Sequence, residues 1–244
     1  MKIASVGRFL VLLCDGKARF HAYRAVLQYR SSPERNCPIC GFHGRFVAAG
    51  HKMRFDCRCP RCRSVERHRL FALAVQRNVI SFRDADVLHF APDPFVTRLI
   101  EGDEPRSHLT CDLKPGRADV VQNIEKLEFD SDSFDRIVCS HVLEHVDDRA
   151  ALAELYRVLR PGGLAILSVP IIEGWAQSYE DSSIVSEQER SLHFGQCDHV
   201  RYYGSDFRDR VREAGFSLDE FTSHGKDCAR YGLTPGGKLF LGTK

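Results

Sequence analysis

Long apolar runs are missing from this sequence. The N-terminal FLVLLC run is too short to cross a bilayer, and no small-residue cleavage site follows it, so neither a membrane span nor a secretory leader is expected. Internal repeats and low-complexity tracts are also missing, which sets aside solenoids and linker arrays. Net charge is scarce, at only +2, which excludes a uniformly basic or acidic chain. Its distribution is lopsided: 15 Lys/Arg against 4 Asp/Glu through residue 69 give about +11, and 20 against 29 beyond it give about −9. A basic front on an acidic body points to an anionic partner for that front or to docking of one half on the other. A dispersed disulfide framework is lacking as well. Of ten cysteines, five fall between Cys37 and Cys62 and the others scatter among expected core strands and loops. That clustering favours a metal site in a reducing compartment, and the protein is expected in the cytoplasm.

What is present fits one α/β domain with a small appendage in 244 residues. Residues 1–32 read as a basic helical segment, with Phe20, Tyr23, Val26 and Leu27 on one face and Arg19, Arg24 and Arg30 outside it. It could pack on the body, lie on an anionic membrane surface or face an acidic ligand. Residues 33–63 hold CPIC and CRCPRC. Cys37, Cys40, Cys59 and Cys62 form two C-x-x-C pairs, and four thiolates satisfy tetrahedral zinc with no open position. Cys57 is an alternative to Cys59, with His43 and His51 as weaker substitutes. The intervening HGRFVAAGHKMRF suits a hairpin, giving a structural zinc ribbon. From Ser64, a candidate cap, a helix runs to Ile80, with Glu66, Arg67, His68 and Arg69 facing the ribbon or, by default, solvent.

The centre of the chain is residues 133–170. FDRIVCS is a short buried strand; Asp147 and Asp148 suit a helix N-terminus; Ala151, Leu152, Leu155, Val158 and Leu159 recur at helical spacing. RPGG stops that helix and LAILSVP gives a second strand, completing a βαβ unit whose ligands sit at the carboxyl ends of the strands. FDRIVCSHVLEHV with LRPGGLAILSVP resembles the central block of class I S-adenosylmethionine-dependent methyltransferases, and most closely their small type 11/12 domains. The loop HFAPDP (89–94) and the string FGQCDHVRYY resemble a zinc-ribbon-bearing subset of such sequences.

The resemblance implies an α/β, Rossmann-like seven-stranded sheet with helices on both faces over residues 64–244. It also implies S-adenosylmethionine as cofactor. His89, Phe90, Ala91 and Asp93 then form the cofactor loop, without the usual glycines. Asp112 and Leu113 follow the second strand, the acid accepting from the ribose hydroxyls. Asn123 and Ile124 flank the adenine, and Ser140, His141 and Leu143 border the cofactor after the fourth strand. Glu144 and His145 suit an acid–base pair, although an L-x-H turn also serves a structural purpose in such folds.

Residues 171–204 are too long for an idle loop and are expected to build the acceptor pocket. Trp175, Tyr179, Glu180, Gln196 and Arg201 are candidates for substrate binding, with local salt bridges as the competing account of the charged ones. His199 is the candidate base, oriented by Asp198 or Glu180. A helix capped by Ser205 and ended by Gly215, then an antiparallel strand pair, close the chain. The expected function is methylation of oxygen or nitrogen on a small polar acceptor, anionic acceptors included. RNA bound by the basic ribbon is a second reading, and a non-enzymatic zinc-dependent binding module a third.

Overall fold

The computed structural model describes residues 32–50 and 54–244. The basic segment expected over 1–32 therefore lies, but for Ser32, outside the described residues, as does His51. The chain divides into two units: one of residues up to 69 together with 223–235, the other of 70–222 and 236–244.

In the smaller unit two ribbons carry the cysteine pairs. Arg35–Asn36 pairs antiparallel with His43–Gly44, and Val47–Ala49 with Arg54–Arg58. The second is the hairpin expected between the C-x-x-C pairs. A helix over Gly225–Tyr231 belongs to this unit, so the last two strands of the chain are not joined by a simple turn.

The larger unit is built on a seven-stranded sheet, with strands β1 (Asp86–Phe90), β2 (Ser107–Asp112), β3 (Val120–Val121), β4 (Phe134–Ser140), β5 (Leu159–Ser168), β6 (Ser217–Thr222) and β7 (Lys238–Thr243). Their order is β6-β7-β5-β4-β1-β2-β3. All pairings are parallel except those of β7, which runs antiparallel to both neighbours. From β1 the chain steps through β2 to β3, then returns to β4 on the other side. The order thus reverses between β1 and β4, the position at which such sheets open a ligand crevice.

Helix α1 (Glu66–Gln76) precedes the sheet, α2 (Pro94–Glu101) links β1 to β2, and α3 (Asp148–Val158) links β4 to β5. Asp147 caps α3 by accepting from the N–H groups of Arg149 and Ala150. Its buried stripe of Ala151, Leu152, Leu155 and Val158 joins Leu88, Phe90, Ile137, Cys139, Ala165 and Leu167 in one core. Each such Leu or Val contributes about 1.5–3 kcal/mol. On the other face Val87, Val138 and Ile166 are equally buried, as a helix-covered parallel sheet requires.

Three local expectations are corrected. RPGG does not precede β5 but lies within it, as an irregularity between the pairings Phe134–Leu159 and Arg136–Leu164. Ser64 is not the cap of α1; its hydroxyl faces sulfur. Ser205 does not cap the helix Phe207–Glu213 either, since Asp206 occupies that position without a side-chain bond.

Candidate functional site

In the smaller unit, two tight turns present the thiols. The Gly41 N–H donates to the Cys37 carbonyl and the Cys37 N–H to Phe42; Arg63 and Cys59 repeat the pattern with Cys59 and Ser64. The sulfurs of Cys37, Cys40, Cys59 and Cys62 all lie within 4.8 Å of one another, with 3.6 Å between Cys37 and Cys62 and 3.7 Å between Cys40 and Cys59. Thiolates about 2.3 Å from one tetrahedral ion sit about 3.8 Å apart. Cys57 points away, toward the carbonyls of Arg54 and Ala49 at 3.3 and 3.6 Å. His43 instead meets Asn36 and Glu34. The Ser64 hydroxyl lies 3.2 Å from the Cys62 sulfur. Burial pushes the Cys62 thiol up, but Ser64 and the neighbouring thiols outweigh it and bring it down to about 7.

Arg69, expected on a solvated face, is fully buried here. Its guanidinium donates to the carbonyls of Ser64, Tyr231, Cys57 and Gly232 at 2.7, 2.7, 3.0 and 2.6 Å, and lies 4.5 Å over the Phe46 ring.

In the larger unit, the ends of β1, β2 and β4 assemble the first half of a site. Ala91 leaves β1 in the left-handed region, φ +46°, with its N–H on the Cys111 carbonyl at 2.8 Å. His141 leaves β4 at φ +57°, with its N–H on Ser168. A side chain held there costs about 1–3 kcal/mol and persists where the surrounding structure imposes it, most often at functional sites. The Asp93 carboxylate accepts from the Phe95 N–H at 2.8 Å and caps α2. Asp112, half-buried at the end of β2, accepts from the Lys114 N–H at 2.8 Å, and Leu113 beside it is 64% exposed. Asn123 is exposed and closes its own turn by accepting from Glu125. Ser140 is half-buried at the end of β4. Three candidates turn inward: Phe90 and Ile124 are core residues, and His89 stacks on His108 with ring centroids 5.5 Å apart. Burial, reinforced by His108, pushes His89 down to about 3, so it is a neutral imidazole on the sheet face opposite Phe90.

The second half follows β4. The short turn Leu143–His145 buries Glu144 at 1% exposure. One of its carboxylate oxygens lies 3.2 Å from His141 Nδ1; Oε2 has no hydrogen-bond partner. His199 is 8% exposed and its Nδ1 is likewise without a partner. Its ring meets that of His145 edge to face at 4.7 Å. Burial keeps His199 below the ordinary histidine range. Asp198, expected to orient His199, faces His145 instead: its carbonyl and Oδ2 lie 3.1 and 3.4 Å from His145 Nδ1. Gln196 donates to Asp198 at 2.9 Å. Burial pushes Asp198 up, but the Gln196 amide and the two imidazoles hold it below its usual value.

The family profile described as a methyltransferase domain matches residues 103–167, from the turn before β2 through most of β5. The larger unit has the α/β fold of a class I methyltransferase, and residues 103–167 are similar to that family in sequence. The ubiquinone/menaquinone biosynthesis C-methyltransferase UbiE of Escherichia coli K12 is 37% identical over 99 residues, 38% of this chain and 39% of that protein. The chain thus matches about two fifths of the length of these curated relatives. Among solved structures, a chain of the Haloferax volcanii complex between the Trm112 methyltransferase activator and a methyltransferase superposes with a TM-score of 0.53 at 18% identity, covering 72% of this chain and 90% of that one. An S-adenosylmethionine-dependent methyltransferase from Mesorhizobium loti gives 0.53 at 15% identity, over 72% and 98%. Both likenesses concern the fold.

Within the larger unit, two acceptor-pocket candidates prove to be fastenings. Arg201 is buried and donates to the carbonyls of Leu143 and Val146 at 2.9 and 2.6 Å and to Glu180 at 2.8 Å. Glu180 also binds Arg210 at 2.9 Å, and Arg210 binds the buried Asp148. Tyr203 completes the set, its hydroxyl donating toward Asp148 and Leu143. This network pins the Leu143–His145 turn, leaving neither Arg201 nor Glu180 free for an acceptor. Gly204 lets the strap cross, since a Cβ there would sit 2.6 Å from the Gln177 backbone. Trp175 and Tyr179 remain about two fifths exposed, edge to face at 6.5 Å. Sequence reasoning missed Arg210, and read Asp148 as a helix N-terminal residue without its place in this network.

Proposed function

We propose that the chain transfers a methyl group from S-adenosylmethionine to oxygen or nitrogen of a small polar acceptor, and that the four-cysteine cluster holds a structural zinc ion. The observation that carries the first part is the convergence, at the reversal point of the sheet, of two left-handed turns, the Asp112 carboxylate and a buried acid–imidazole cluster with unpartnered donor atoms.

The donor set fits the cofactor. Asp112 would accept from the ribose hydroxyls, Ala91 and Asp93 would bring backbone close to the amino-acid end, and Leu113, Asn123 and the backbone of Ile124 would flank the adenine. Bound S-adenosylmethionine supplies an electrophilic methyl group on a sulfonium. The protein's own part is positioning, with the acceptor atom held about 3 Å from its target, and removal of the acceptor's proton. His199, neutral and with a free ring nitrogen, receives that proton, and Glu144 beside it stabilises the imidazolium. Asp198 and Gln196 act one step away by fixing His145. Trp175 and Tyr179 offer an apolar wall to the acceptor.

A small acceptor is favoured over RNA because three of the ribbon's basic residues are engaged locally: Arg45 donates to Ser32, Arg54 to Glu66 and Arg61 to Cys40. For the cysteine cluster, the sulfur spacing of a tetrahedral site and the exclusion of Cys57 support zinc. A closed four-sulfur set makes that ion structural. His199→Ala is expected to retain cofactor affinity by calorimetry while turnover falls by about 10²–10⁴. Full activity in that variant contradicts the assignment.

A further inference from the structure

We propose that Glu144, His145 and His199 form a second metal site, for a first-row divalent cation such as zinc, beside the cofactor-binding strand ends. Each residue offers one donor atom, and the three donors lie within 4.8 Å of one another. A cation about 2.0–2.2 Å from each brings nitrogen and oxygen donors to about 3.4 Å apart.

Two observations point to a ligand in this space. Glu144 Oε2 and His199 Nδ1 are buried with no hydrogen-bond partner, on residues only 1% and 8% exposed. A buried polar atom left unmatched is destabilising, and a cation held by the cluster would satisfy both. The third donor is prepared for the same task. His145 holds one ring nitrogen against the carbonyl and carboxylate of Asp198, at 3.1 and 3.4 Å. That leaves its other nitrogen for an ion, and Gln196 fixes the carboxylate in turn. A carboxylate behind a ligating histidine orients the ring and raises its basicity.

Two imidazoles and one carboxylate leave coordination positions open, unlike the four-thiol set. The backbone frames the group as well, since the Val200 N–H donates to the Glu144 carbonyl at 3.0 Å. The catalytic meaning of the site rests on the methyl-transfer reading. With the cation bound, an acceptor hydroxyl at an open position would ionise more readily, and His199 would serve as a ligand in place of the base role it has without metal. The metal site itself does not depend on that reading.

The test is metal content of the full chain, stripped, reloaded with zinc and desalted, in wild type, Glu144→Gln and His199→Ala. Each variant is expected to hold one zinc fewer than wild type. Cobalt titration gives the second readout, because only thiolate ligation adds intense sulfur charge-transfer absorption. The equivalent lost in the variants should be one that adds none. Variants that hold as much metal as wild type overturn the site, as does a lost equivalent that carries sulfur absorption. Calorimetry with S-adenosylmethionine on the same samples separates the failures. Cofactor binding without the extra metal overturns the site and leaves His199 as base; the extra metal without cofactor binding overturns methyl transfer and leaves the site.

Discussion

Replacing Arg69 by Met isolates the one buried cation of the cysteine-bearing unit among its described residues. The guanidinium is fully buried and makes four hydrogen bonds to backbone carbonyls between 2.6 and 3.0 Å. Bonds from a charged donor are worth about 1.5–3 kcal/mol each, and an orphaned buried acceptor costs about 1–3. Met fills a similar volume and restores none of them. Removal of one partner from a buried charged set costs about 3–5 kcal/mol, the magnitude expected here once partial hydration of the carbonyls is allowed for. The metal should sense the change too. With zinc bound, four thiolates would leave a net charge of −2, and Arg69 would serve as a counter-charge, since it faces Cys37, Cys59 and Cys57 as well as Glu66. Loss of such an outer partner lowers metal affinity by about 10–100-fold. The assay is zinc release to a chromogenic chelator, followed beside thermal unfolding. Release from Arg69→Met that is as slow as from wild type refutes the electrostatic coupling. An unchanged unfolding temperature refutes the packing argument as well.

Two further outcomes follow from the larger unit. Ala91→Gly removes a left-handed alanine worth about 1–2 kcal/mol but adds unfolded-state entropy of about 0.4–1 kcal/mol. Its melting temperature should therefore stay within about 4 °C of wild type, whereas Ala91→Val should melt lower and bind cofactor more weakly. Glu173 is held down to about 2 by its bonds to Arg208, with Lys238 assisting against burial. Its folded-state value lies below the unfolded one of about 4.3, so its contribution is present above that pH and is lost as pH falls toward 2. The carboxylate is 44% exposed, and screening limits the contribution to about 1 kcal/mol. Glu173→Gln should destabilise at pH 7 by that amount and converge with wild type near pH 2, measured by urea unfolding.

Sequence made some of this legible because the signals are local. Helical spacing in 151–158, the Asp147 cap and two C-x-x-C pairs depend on neighbours a few residues away, and each matches the structure, while Leu159 begins the next strand. Asp112 at the end of β2 follows from the same counting. What stayed hidden depends on contacts across the chain. Ser64 carries the residue type of a cap, yet its hydroxyl turns to the Cys62 sulfur, brought near by the cysteine turns. Arg69 sits among charges that read as solvated, and its burial needs carbonyls 162 and 163 residues away. Arg201 and Glu180 have the chemistry of ligand-binding residues, but Arg210 and Asp148 claim them. His89 looks like part of the cofactor loop until strand alternation sends it onto His108. The unpartnered atoms of Glu144 and His199, 55 positions apart, emerge only once the strap over 196–203 is folded against the turn after β4.

The most direct measurement is calorimetric titration of the purified full chain with S-adenosylhomocysteine, wild type beside Asp112→Asn. One equivalent should bind to wild type, and loss of the charged hydrogen bonds to the ribose should weaken the variant by about 10–100-fold with its melting temperature unchanged. No binding to wild type, or equal binding to both proteins, contradicts a nucleoside held at Asp112 at the mouth of the sheet.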